Sequence, residues 1–132
     1  MSVLYKLYQD NRKNGTQRFY ARAVQLNIVD TKKLASLIEE KCTLTYSDIV
    51  GCIAALVSEM RRELQNSNIV KLDGFGSFRV GIKSSGADDP KLFNANENIQ
   101  GMKINFLPAG TKSADGKLTR SFLAGATVKK YE

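Results

Sequence analysis

Arg79, Lys83 and Lys103 are the side chains whose types and spacing best support a chemistry, and that chemistry is ionic. Arg79 and Lys83 lie four apart in Phe78-Arg79-Val80-Gly81-Ile82-Lys83, so a strand here places both on one face and Phe78, Val80 and Ile82 on the other. Lys103 holds the polar phase of Met102-Lys103-Ile104-Asn105-Phe106, a second alternating run. Cations gathered on one sheet face can neutralise the phosphates of a polyanion without reading its sequence. The plainer alternative is an ordinary solvated face.

Other chemistries are poorly supplied. There is no histidine, which excludes Ser-His and Cys-His nucleophilic systems. Cys42 and Cys52 are the only cysteines, too few for a zinc site, and their places on the apolar sides of two expected helices mark them as buried free thiols. Gly74 and Gly76 could suit a phosphate-cradling loop, but no Lys-Ser/Thr pair follows them, so they read as residues that shape a turn. Asp88 and Asp89 could chelate a cation, yet adjacent carboxylates in a polar stretch are ordinarily solvated. No enzyme activity, cofactor or metal is expected.

The formal net charge of +7 favours a polyanionic partner such as DNA, RNA or an anionic membrane. Residues 1–30 carry Lys6, Arg12, Lys13, Arg18 and Arg22 against Asp10 and Asp30; residues 31–68 are neutral overall, and residues 69–132 are basic again. A neutral helical middle between basic, strand-rich ends is the reverse of what a helix-turn-helix reader would need. No long apolar run opens the chain, so neither a signal peptide nor a membrane span is expected, and the expected location is the cytoplasm.

The elements that must position these residues can be read from periodicity. Val3 to Tyr8 and Arg18 to Val24 are two β-like runs around Asn11-Arg12-Lys13-Asn14-Gly15, which predicts a β-hairpin over residues 3–26. A first helix starts at Asp30 or Thr31, with Leu34, Leu37, Ile38 and Cys42 on one face. A second starts at Thr45, whose spacing to Asp48 is that of a capping box, and runs to about Gln65. Its apolar stripe of Ile49, Cys52, Ile53, Leu56, Val57, Met60 and Leu64 is wide enough to be covered on two sides, as at a dimer interface. Strands follow near 69–72, 78–83 and 102–106, with residues 84–98 a polar loop or mobile arm. Leu118, Phe122 and Ala126 share a helical face and predict a short helix over about 115–128.

The run Val70-Lys71-Leu72-Asp73-Gly74-Phe75-Gly76-Ser77-Phe78-Arg79-Val80, set behind two helices and ahead of strand, arm, strand and helix, resembles the bacterial histone-like HU/IHF family of DNA-bending proteins. The resemblance covers about residues 30–130. The N-terminal hairpin resembles the extension of a divergent HU-related subgroup. The implied fold is α+β: an HU/IHF-like intertwined homodimer, with a helical body, an antiparallel sheet and a β-arm, plus the added hairpin. The implied domains are residues 1–29 and residues 30–132.

The implied partner is double-stranded DNA, bound with little sequence preference in the nucleoid. The implied contacts are Arg79, Lys83 and Lys103 on the sheet, Lys91 and Pro90 on the arm, and Arg18 and Arg22 on the hairpin. In HU a proline near the arm tip wedges between base pairs. Here Pro90 ends Ser85-Gly86-Ala87-Asp88-Asp89-Pro90, and aspartates stand where that family carries arginines. Carboxylates repel phosphates, so the arm could be shorter, could bind protein, or could lean on Lys83 and Lys91. An HU-derived dimeric assembly module without DNA binding is the alternative from a different functional class. Lys112, Lys117, Arg120, Lys129 and Lys130 could flank DNA from the C-terminal helix or belong to a solvated tail.

Overall fold

The computed structural model describes residues 1–10 and 17–132; the turn expected at 11–15, with Arg12 and Lys13, lies outside the described residues. The described residues form two units, Met1–Asp30 with Leu123–Glu132, and Thr31–Phe122.

The first unit is a three-stranded sheet. β1 (Ser2–Asp10) pairs antiparallel with β2 (Arg18–Ala23), which is the hairpin read from the sequence. A hairpin alone is marginal. Its second neighbour is the C-terminal strand β8 (Thr127–Lys130), which runs parallel to β1 from the Ser2–Thr127 pair, where the two hydroxyls are 2.9 Å apart.

In the second unit, α1 spans Thr31–Glu39 and α2 spans Tyr46–Gln65. Thr45 and Asp48 form the expected capping box: the Asp48 amide donates to Thr45 Oγ1 (3.3 Å) and the Thr45 amide to Asp48 Oδ2 (3.4 Å). β3 (Val70–Leu72), β4 (Gly76–Ser84) and β5 (Ile99–Pro108) form an antiparallel sheet in that order. Between β3 and β4, Gly74 adopts a φ of 77°. Gly76 has a φ of 150°, and a Cβ there would collide with the Leu107 carbonyl and lie 2.6 Å from Phe106 Cε2. Both glycines are therefore structural. They seat Phe75 against Phe78, Phe106 and Phe122, with ring centroids 5.3–5.7 Å away.

No helix covers 115–128. β6 (Gly110–Lys112) and β7 (Leu118–Arg120) form a hairpin there, and β8 follows. The cause is backbone chemistry: Gly116 and Gly125 take φ of 86° and 75°, which stop a helix, while Thr119, Thr127 and Val128 are β-branched. The Ser113 hydroxyl and the Lys117 amide donate to the Asp115 carboxylate, closing the turn and holding that carboxyl below its ordinary value.

The core is thin. Ala35 and Ile49 are the buried hydrophobic residues among those described, at 0% and 4% exposure. On the α2 stripe, Leu56 is 43% and Val57 61% exposed. Cys42 and Cys52 are free, as expected, but exposed rather than buried. Cys42 lies beyond the end of α1 at Glu39, and Cys52 lies on a side of α2 left uncovered within this chain.

Candidate nucleic-acid interface

Directly opposed residues on paired strands project to the same side of a sheet. On β4 and β5 the pairs are Arg79 with Asn105, Gly81 with Lys103 and Lys83 with Gly101; on β3 and β4, Lys71 faces Ser77. Lys71, Arg79, Lys83 and Lys103 therefore share one side. These three strands contain no Asp or Glu, so every charge on the sheet is positive and all of it is on that side. None of the four enters an ion pair among the described residues; the ion pairs resolved on α2 join Arg62 to Glu59 and Glu63. Lys71 escaped the sequence reading, although it holds the polar phase of Val70-Lys71-Leu72.

Gly81 gives this side its relief. A Cβ on it would lie 2.6 Å from Asn105 Nδ2 and 3.4 Å from Lys103 Cε. The Asn105 side chain enters the slot that the missing side chain leaves, and the Lys103 stem lies alongside it.

The other side of the sheet carries Phe78, Val80 and Ile82 opposite Phe106, Ile104 and Met102. Leu64, Ile69, Val80, Ile82, Met102 and Ile104 line an open groove of ≈ 730 Å³ between the end of α2 and this apolar side. Ile82, Met102 and Ile104 are exposed along it.

The pairing slips between Lys83 and Ser84, a bulge that ends the regular ladder where the arm begins. The segment read as a polar loop or mobile arm contains two short helical turns. A 3-10 turn at Pro90–Leu92 and a helical turn at Ala95–Asn98, α3, fold it back on itself. Asn98 closes its base: its carbonyl accepts from the Ser85 amide (2.8 Å), its Nδ2 donates to Ser85 Oγ (3.1 Å) and its Oδ1 accepts from the Asn94 amide (2.8 Å). Asp89 caps the first turn by accepting from the Lys91 amide at 3.0 Å, with Pro90 just inside it. One of the two aspartates thus has a structural use. Pro90 and Lys91 are exposed at the start of the 3-10 turn. Beside them stand Leu92, 69% exposed, and Phe93, 43% exposed. Their signal was two bulky apolar residues in an otherwise polar stretch.

Arg18 and Arg22 lie on β2 in the other unit, exposed, on the same side as Lys6. Lys112 and Lys117 sit on the β6–β7 hairpin rather than on a helix, and Arg120 donates to the Pro108 carbonyl at 2.7 Å. Among the described residues no group of three or more His, Cys, Asp or Glu side chains could hold a metal ion, and no helix is long and apolar enough to cross a membrane.

An α+β chain whose small antiparallel sheet carries only basic charge, all of it on one side, with Phe78, Val80, Ile82, Met102, Ile104 and Phe106 on the other, is the class defined by this geometry. The family described as an HU domain fused to a winged helix-turn-helix, Ig or glycine-rich motif matches residues 1–120, and the chain belongs to that family. It is 33% identical over 57 residues to the DNA-binding protein HRL53 of Rhizobium leguminosarum, covering 43% of this chain and 63% of that protein. It is 27% identical over 82 residues to the DNA-binding protein HRL18 of the same organism, covering 62% of this chain and 90% of that one. The chain thus spans somewhat under two thirds of HRL53. A crystal structure from Bacteroides vulgatus, described as that of a candidate bacterial DNA-binding protein, has a similar fold, with a TM-score of 0.61 at 10% identity over 98% of this chain and 49% of that one.

Proposed function

We propose that this chain is an architectural protein that binds double-stranded DNA as a homodimer, through the phosphate backbone and with little sequence preference. The single observation that carries this reading is the segregation of Lys71, Arg79, Lys83 and Lys103 on one side of a sheet that has no acidic residue. Membership of an HU-type family and relatives named DNA-binding proteins support the same partner. A second copy would cover the exposed α2 stripe and the apolar side of the sheet. The arm tip, with Pro90, Lys91, Leu92 and Phe93, supplies apolar wedges of the kind that unstack and bend duplexes in the minor groove. Arg18 and Arg22 add phosphate contacts from the hairpin, and the nucleoid is the corresponding location.

Anisotropy titration of a labelled duplex at about 50 and 200 mM salt tests this, because each neutralised phosphate releases a counterion and steepens the salt dependence. Tight binding at low salt that weakens steeply as salt rises, equally on unrelated sequences, is the expected result. The assembly-module reading, favoured by the neutral helical body and by Asp88, replaces it if no duplex binds even at low salt.

A further inference from the structure

The first unit carries aromatic rings that phosphate contacts from Arg18 and Arg22 leave without a role. Register places Lys6 opposite Arg22 and Tyr8 opposite Tyr20 on β1 and β2, and Leu4 opposite Lys129 on β8, all on one side of the sheet. The other side is mostly apolar, with Val3, Leu7, Phe19, Ala21 and Val128, but it also carries Gln9 and Tyr5 opposite Lys130. On the basic side the aromatic and cationic groups interleave. The Arg22 guanidinium lies 3.8 Å from the Tyr8 ring centroid, and Lys6 Nζ lies 4.6 Å from that of Tyr131. Tyr8 and Tyr20 have centroids 5.9 Å apart at 36°. Asp10, opposite Arg18, is the one carboxylate that the β1 and β2 pairing adds to this side. Three of the five tyrosines of the chain are thus gathered at one basic sheet surface.

A duplex hides the faces of its bases, so against it these tyrosines could offer only their hydroxyls to phosphates, not their ring faces. An unpaired strand exposes those faces. Stacking on aromatic rings and guanidinium planes, with Lys and Arg on the phosphates, is the general solution for holding one. We propose that the β2-β1-β8 sheet is a second nucleic-acid site, one that takes single-stranded nucleic acid by stacking bases on the exposed Tyr20 ring and on the Arg22 plane that the Tyr8 ring backs, while Lys6 and Lys129 neutralise its backbone. Sheet cations in the other unit and tyrosines here divide duplex from single strand. The site does not depend on the duplex reading.

The test uses the full chain with labelled oligo-dT and oligo-rU of roughly a dozen nucleotides, and a duplex of equal length. Binding of either oligomer should quench tyrosine emission, which no tryptophan obscures. Replacing Tyr8 and Tyr20 by Leu preserves apolar bulk and removes the ring faces. That double variant should bind the single strand about ten-fold or more weakly, with duplex affinity within about two-fold of the unmodified chain. Tyr8→Phe with Tyr20→Phe should restore single-strand binding. Arg79→Glu with Lys83→Glu should damage duplex binding and spare the single strand, so the two sites can fail separately. The proposal is overturned if neither oligomer binds the unmodified chain, if the Leu variant binds the single strand undiminished, or if it loses both ligands equally while the Phe variant does the same.

Discussion

The Asn105 side chain on β5 lies across the space a side chain at Gly81 on β4 would fill, its Nδ2 2.6 Å from the Cβ position, and the stem of Lys103, directly opposite Gly81, lies alongside in ordinary contact. The relationship ties a backbone choice to the direction of a charge. Gly81→Val suits a strand better than glycine does, but its Cβ would displace Asn105, alongside which the Lys103 stem lies. The expected outcome is a chain that melts within a few degrees of the original, binds duplex several-fold more weakly and has a salt slope reduced by about one. Anisotropy and thermal melting together check it.

Assembly is tested on α2. Leu56 is 43% exposed here, where a stripe that served only its own chain would be covered. In a homodimer Leu56→Asp buries an unpaired carboxylate at a cost of several kcal/mol. Sedimentation velocity should show the unmodified chain as a dimer at micromolar concentration and the variant as a monomer or unfolded. A well-folded monomer of the unmodified chain would remove the homodimer from the account.

Gly76 gives a stability prediction. Its φ of 150° and the Leu107 carbonyl leave no room for a Cβ. Gly76→Ala should destabilise the chain by about 2 kcal/mol or more, through strain and through the displaced Phe106 ring. Gly74→Ala meets open space and pays only for its φ of 77°, about 1 kcal/mol. Denaturant melts should rank the two in that order.

The arm separates bending from affinity. Leu92→Ser with Phe93→Ser should reduce the bend seen by energy transfer between duplex ends more than it reduces affinity, and Pro90→Ala should act in the same direction. Equal bending by all these proteins, or none by the unmodified chain, would leave the arm without a wedge.

Much of this was legible in the sequence because it is local. Alternation gave away β4 and β5 and with them the side that Arg79, Lys83 and Lys103 share; the Thr45–Asp48 spacing marked the start of α2. What was missed depends on distant partners or on backbone torsions. Nothing near Thr127 announces that it pairs with Ser2 across almost the whole chain, and helical spacing of Leu118, Phe122 and Ala126 concealed two glycines with positive φ. Cys42 is exposed because α1 ends at Glu39, short of the face its spacing implied, and Cys52 because it lies on an exposed side of α2. In the arm, counting charge on Asp88 and Asp89 overlooked that a carboxylate can cap a turn.

The central claim is that the basic side of the β3–β4–β5 sheet meets DNA phosphates, and the salt dependence of Arg79→Glu with Lys83→Glu tests it most directly. Plotted as log affinity against log salt, the unmodified chain should give a slope of about −4 or steeper, and the double variant should bind at least about ten-fold more weakly at low salt with a slope flatter by about two for each chain in contact. The circular dichroism spectrum should not change. A variant whose affinity and slope match the unmodified chain would contradict the claim and move the duplex site off this sheet.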